Sequence, residues 1–304
     1  MIRPPALRPG SRVALVAAAG PIPEGGVDRA IDRVRTLGWE PVAGRYCRGR
    51  RGYLSGSDAE RAADLNDALR DPAIDAVWFL RGGYGTMRIL DAVDWPALAR
   101  HPKPLIGYSD NTAVHLAANA VGVVAFHGPH PHTPEFPDFA RDALLRVIAS
   151  PEPAGELPFP AGAPRAEALA GGAAEGPLVG GNLSLLSATM GTPYAVQPEG
   201  AILFLEEVGE HPYRLDRMLS HLRLAGVLDA VAGIVVGGIT EAPGENGDAL
   251  SLEVLHDRLG GLGVPVAVGF PFGHFDDNWT LPVGVRARLD ADAGTLSLLE
   301  AAVS

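Results

Sequence analysis

Leu105-Ile106-Gly107-Tyr108-Ser109-Asp110-Asn111-Thr112-Ala113 joins a short apolar run to a helix-like segment through a serine. The pattern predicts a strand, a sharp turn and a helix. A serine at such a turn lies near the positive end of the helix macrodipole, where exposed backbone N–H groups can hold a negative charge developing on a carbonyl oxygen. Ser109 is therefore a candidate nucleophile. The turn is similar to a nucleophile elbow but departs from G-x-S-x-G, because Asn111 stands where the last glycine would be. A second reading makes Ser109, Asp110 and Asn111 the capping cluster of a helix through Ala113, Val114 and Leu116, and the two readings are compatible.

Upstream, the same strand-turn-helix grammar repeats. Val13 to Ala19 is an apolar run bracketed by Pro9-Gly10 and Gly20-Pro21. Val27, Ile31, Val34 and Leu37 then mark one face of a helix ending at Gly38. Pro41 to Ala43 is a short second strand, Arg45 to Arg51 a solvated loop, and Ser57-Asp58-Ala59-Glu60 a capping box opening a further helix. Asp75 to Leu80 is a near-continuous apolar strand leading into Arg81-Gly82-Gly83-Tyr84-Gly85-Thr86, with a helix expected over Met87 to Val93. Val121 to Phe126 runs into His127-Gly128-Pro129-His130. Successive units of this kind predict an α/β fold with a mostly parallel sheet and ligand chemistry at its carboxyl edge, where Gly82-Gly83 and Ser109 both fall. The glycine turn could cradle a phosphate, present N–H groups to an oxyanion, or only supply positive φ. Ala17 to Pro21 lacks the G-x-G-x-x-G spacing, which disfavours nicotinamide or flavin binding.

Residues 151–176 are rich in Pro, Gly and Ala and read as a surface linker between a unit over 1–150 and a second over 177–304. In the second, Ala201 to Val208, Ala232 to Gly238 and Val264 to Val268 read as strands, Leu215, Met218, Leu219 and Leu222 as a helix face, and 285–299 as a closing hairpin around Asp292-Ala293-Gly294.

A length of 304 residues suits two domains. Twenty-five basic against 36 acidic residues, a net charge of −11, supply no field for nucleic-acid phosphates. Cys47 is the only cysteine, which excludes an internal disulfide and a cysteine metal cage and leaves packing as its role. Arg3, Arg8 and Arg12 before Val13 to Ala19 faintly imitate a secretory signal, but the apolar run is too short, and no stretch approaches a membrane span. A cytoplasmic protein is the expectation.

A serine needs a base, and the base needs an orienting carboxylate. Among nine histidines, His274 follows Gly273 on a loop delivered by an apolar strand. Glu206 and Glu207 end another strand and point to opposite faces, so one alone can face a cleft. The other reading of this region has Glu207, Glu210, Arg214 and Arg217 in exposed ion pairs. His127, His130 and His132 match no familiar ligand spacing, so no metal is expected.

Five segments in order, Arg81-Gly82-Gly83-Tyr84-Gly85, Gly107-Tyr108-Ser109-Asp110, Gly180-Gly181-Asn182-Leu183-Ser184, Leu205 to Glu210 with Tyr213 and Asp216-Arg217, and Gly269-Phe270-Pro271-Phe272-Gly273-His274, resemble the LD-carboxypeptidases, which include the microcin-immunity hydrolases. The resemblance implies a Rossmann-like N-terminal α/β domain bearing the serine, a smaller C-terminal α/β domain, and an active site in the cleft between them. It implies a Ser109-Glu206-His274 triad and an oxyanion hole from the N–H groups of Gly83 and Asp110. The residues that read the terminal carboxylate are left open, with Arg81 and Arg217 as candidates and Tyr84 and Asn182 as further candidate substrate contacts. It also implies no cofactor or metal, a homodimer, and release of D-alanine from murein tetrapeptide during cytoplasmic wall recycling. Residues 238–252 read as short for the loop of microcin-type members, which would instead cleave aminoacyl-adenylate analogues. A noncatalytic nucleotide- or sugar-binding protein would use Gly82-Gly83 as a phosphate cradle.

Overall fold

The computed structural model describes residues 1–304. Strands β1 (Arg12–Val16), β2 (Glu40–Ala43), β3 (Ala76–Phe79), β4 (Leu105–Gly107) and β5 (Ala125–His127) pair in parallel in the order β5-β4-β3-β1-β2. Burial on both faces explains their apolar runs: Trp78 enters one core cluster, and Val77 and Phe79 enter another. Helices α1 (Gly26–Thr36), α2 (Asp58–Arg70), α3 (Trp95–Arg100) and α4 (Thr112–Ala120) lie between the strands in sequence, and α5 (Asp138–Ile148) follows β5. The capping box of α2 forms as expected, Ser57 Oγ accepting from Glu60 N–H and Glu60 Oε2 from Ser57 N–H. Strand order reverses between β1 and β3, so the loops leaving their carboxyl ends flank a crevice. Across it the Gly20 N–H donates to the Gly82 carbonyl at 3.0 Å.

The second sheet contains β6 (Gly155–Glu156), β7 (Glu167–Ala170), β8 (Ala173–Asn182), β9 (Ile202–Val208), β10 (Gly233–Thr240) and β11 (Val266–Val268). After β12 (Leu281–Val283), which crosses over to pair with β5 of the first sheet, it gains β13 (Arg286–Asp290) and β14 (Thr295–Leu298). Its order is β6-β14-β13-β8-β9-β10-β11-β7, parallel through β8 to β11 and antiparallel at both flanks. The closing hairpin is β13 with β14.

Three sequence expectations need correction. Residues 151–176 are not a linker, because they contain β6, β7 and the start of β8, which pair with β14, β11 and β13. Local composition reads as loop there, while the strands are fixed by partners remote in sequence. The second unit therefore begins near 155, and β12 shows that the division is not strictly linear. The segment after the glycine turn, Thr86–Ala92, is a 3₁₀ helix instead of an α-helix. Ser109–Asn111 is likewise a 3₁₀ turn, and neither it nor α4 has a side-chain cap, so the capping reading of that cluster fails.

The two sheets share a core. One cluster of buried residues holds Leu15, Trp78, Ile106 and Phe126 from the first sheet with Phe204, Val235, Ala267 and Phe272 from the second half. Apolar contact this continuous fixes the halves against each other.

Candidate active site

Ser109 leaves β4 in the left-handed region, at φ 61°. A non-glycine residue held there costs about 1–3 kcal/mol, so the surroundings must impose it. They do so through glycine: a Cβ on Gly82 would lie 2.8 Å from Ser109 Cβ, 2.9 Å from its Oγ and 3.3 Å from the Asp110 nitrogen. Only a bare Cα lets the glycine turn rest on the serine turn. The peptide joining Gly82 and Gly83 is trans, so its N–H points opposite to its carbonyl. With the Gly82 carbonyl engaged by Gly20, the Gly83 N–H faces away from the β1 loop.

The alternation of β9 places Ile202 and Phe204 in the shared core and Leu203 and Leu205 in the cluster beneath the outer helices. Glu206 continues the first face. It is fully buried, and His274 Nδ1–H donates to its Oε2 at 2.7 Å. Gly273, at φ 124°, makes this approach feasible, since a Cβ there would stand 3.1 Å from Glu206 Cβ. Asn278 closes the loop, its Oδ1 accepting from Gly273 N–H at 3.2 Å and its Nδ2 donating to the Gly273 carbonyl at 3.0 Å. Burial of the His274 ring opposes its protonation, yet the hydrogen bond and charge of Glu206, helped by Glu207 and Glu241, outweigh this and raise its pKa above the ordinary histidine value.

Glu207 turns the other way, as expected, but it is buried. Its carboxylate accepts from Asn182 Nδ2 (3.0 Å), Ser184 N–H (2.8 Å) and Val208 N–H (2.9 Å), while burial pushes its pKa up. The exposed ion-pair reading is therefore corrected for Glu207 and stands for Glu210 with Arg214, at 3.4 Å.

Tyr108 is the link between the halves. Its ring lies edge-on to His274, with centroids 4.9 Å apart, and 4.3 Å from His130, so the serine turn and the histidine loop meet at this side chain. The hydrogen bonds of the structure join His274 to Glu206 and not to Ser109. A cavity of about 350 Å³ opens here, bordered by Tyr108, His130, Glu241, His274, Asp276 and Asn278.

The remaining expected contacts are scattered. Arg81 Nη1 donates to the Pro21 carbonyl at 2.6 Å, and Tyr84 is exposed with its ring 5.9 Å from that of Tyr53. Asn182 caps helix α6 (Leu183–Ala188) through Leu185 N–H while its amide donates to Glu207, so both ends of the side chain are occupied. Arg217 lies on the exposed face of α7 (Pro212–Leu224), over the Tyr213 ring, and does not border the cavity. The three histidines at and beyond the end of β5 have separate surroundings, and the His132 carbonyl accepts from Arg29 Nε at 3.2 Å. His127 packs edge-on against Tyr108, Phe204 and Phe272, His130 Nε2 meets Asn111 Oδ1 at 2.8 Å, and burial holds the pKa of His127 and His130 well below the ordinary value. Sequence reasoning assigned no role to Tyr108, Asn278 or Thr86, although Tyr108 and Thr86 lie inside the quoted serine and glycine turns.

An imidazole backed by a buried carboxylate, near a serine turn at the carboxyl edge of a parallel sheet, is an arrangement suited to acyl transfer. The chain is a member of the LD-carboxypeptidase family: residues 13–128 match its N-terminal domain and residues 175–289 its C-terminal domain. It is 33% identical to the murein tetrapeptide carboxypeptidase of Pseudomonas aeruginosa over 92% of this chain and 94% of that one. The crystal structure of muramoyltetrapeptide carboxypeptidase from Oxalobacter formigenes, 32% identical, covers 95% of this chain and 98% of its own with a TM-score of 0.82. The Escherichia coli microcin C7 self-immunity protein MccF is 28% identical over 90% of this chain and 87% of its own, and its structure superimposes over the full length of both with a TM-score of 0.88. No helix of the chain is long and apolar enough to cross a membrane.

Proposed function

We propose that this chain is a serine carboxypeptidase that cuts the bond between an L-configured centre and a terminal D-alanine in murein tetrapeptide, through an acyl-enzyme. The observation that carries the reading is the 2.7 Å hydrogen bond from His274 to the buried Glu206, in a cleft shared with the turn that bears Ser109. Ser109 Oγ attacks the carbonyl and His274 Nε2 takes its proton, while Glu206 holds Nδ1–H and offsets the imidazolium charge. The oxyanion sits on the N–H groups of Gly83 and Asp110, a choice supported for Gly83 by the engagement of the Gly82 carbonyl with Gly20. Collapse of the tetrahedral adduct breaks the C–N bond, and His274 returns its proton to the departing amine. Water then attacks the ester with the same base, yielding the shortened peptide and free Ser109. The names of the relatives support murein tetrapeptide as substrate. The family resemblance adds a homodimer acting in the cytoplasm; light scattering that reads a single-chain mass would remove the dimer.

The deciding assay offers the purified protein a tetrapeptide ending in D-alanine and, separately, an aminoacyl-sulfamoyl adenosine. D-Alanine release by the wild type and its loss in Ser109→Ala are expected. Turnover of the adenosine compound alone would move the chain to the microcin-immunity class, and activity retained by Ser109→Ala would remove Ser109 from its role.

A further inference from the structure

The two turns assigned to the oxyanion come from different strands, and their separation must be fixed if two N–H groups are to share one oxygen. We infer that the Thr86 side chain is a positioning residue for that site, an inference resting on the serine-hydrolase reading above. Thr86 is fully buried at the end of the glycine turn, and its N–H and hydroxyl both reach Asp110, the residue after Ser109. Its N–H donates to Asp110 Oδ2 at 2.8 Å, and its Oγ1 lies 2.5 Å from the Asp110 carbonyl oxygen and 2.9 Å from Oδ2. The hydroxyl has a single proton, so it donates to one of these two oxygens at a time. The clasp holds the Asp110 carboxylate and the carbonyl of the Asp110–Asn111 peptide, so it anchors Asp110 on both sides of its Cα, from which the Ser109–Asp110 peptide and its N–H also extend. On its other side, the buried Arg61 donates through Nη1 to the Gly85 carbonyl at 2.8 Å and also to the Ala18 carbonyl, bracing the glycine turn against the β1 loop. Gly82 rests on Ser109 between these two braces.

Thr86 does not border the cavity beside His274 and reaches the serine turn through Asp110, so its effect falls on charge stabilisation in the transition state and not on ground-state binding. Thr86→Val keeps the shape and the N–H bond but removes the hydroxyl. We expect kcat for D-alanine release to fall about 10–100-fold with KM within about 2-fold, and Thr86→Ser to recover to within about 3-fold of wild type. The affinity of a peptide boronate, whose serine adduct presents a tetrahedral oxygen to the same N–H groups, should fall in parallel with kcat. Wild-type kcat and boronate affinity in a folded Thr86→Val protein would overturn the inference. If Thr86→Val does not fold, Thr86→Ala against Thr86→Ser decides, and equal kcat in the two overturns it. Ser109→Ala separates the levels: turnover retained there sinks the hydrolase reading itself, whereas loss there with full activity in Thr86→Val sinks only the clasp.

Discussion

Replacing Glu206 by glutamine tests the acid–base assignment most sharply, because it removes a charge while keeping shape and one acceptor. In the wild type, burial of His274 favours its neutral form, and the Glu206 hydrogen bond and charge reverse that preference. In Glu206→Gln the burial persists and the charge is gone, so the imidazole pKa must drop. A hydrogen bond to a charged group contributes about 1.5–3 kcal/mol, which corresponds to a shift of about one unit or more and a fall in kcat of about 10–150-fold. The acid limb of kcat/KM reports the free-enzyme base, so it should start above the ordinary histidine value in the wild type and move to lower pH in the variant. Glu206 Oε1 is buried without a partner, and the glutamine amide that replaces an oxygen there would find no acceptor. Stability should therefore drop by about 1–3 kcal/mol while the fold persists. The assay is D-alanine release from a tetrapeptide across pH 5 to 9, with circular dichroism as the control for folding. An acid limb that stays in place, or moves upward, in a folded variant would refute the pairing of Glu206 with a catalytic His274.

Ser109→Gly should abolish turnover yet raise stability by about 1 kcal/mol, since glycine relieves the left-handed backbone; a lower thermal midpoint than wild type would contradict the strain. Gly82→Ala should cost at least about 10-fold in kcat, because its methyl would meet Ser109 Cβ at 2.8 Å, and wild-type rates would show that the turn gives way freely. Lys103 is buried, its Nζ donating to the Ala68 and Asp71 carbonyls, and burial pushes its pKa down to about 8. Between about pH 8 and the unfolded-chain value near 10.4 the unfolded state holds more protons, so stability relative to Lys103→Met should rise with pH across that window. Urea midpoints for both proteins at pH 7.5 and pH 10 read this directly, and a flat or falling difference would count against it.

Much of the first half was legible in the sequence because its cues are local. Apolar runs ending in Gly or Ser, the Ser57–Glu60 box and the Gly38 stop act within a few residues, and parallel strands buried on both faces leave an unmistakable run such as Ala76 to Phe79. Period-two alternation separated Glu206 from Glu207 without coordinates, and the order of the motifs marked the family. What the sequence left hidden depends on partners far along the chain. The strands within 155–176 were masked by a loop-like composition, since β6, β7 and the start of β8 take their stability from antiparallel partners far along the chain, β14, β11 and β13. That Glu207 is buried and bound by Asn182 and Ser184, that Asn278 holds the His274 loop, and that Thr86 grips Asp110 are outcomes of packing, in which a hydrogen bond forms only where the fold brings donor and acceptor to about 3 Å. Residue types and their spacing determined which groups can do the chemistry; the shared core between two sheets decided which of them meet.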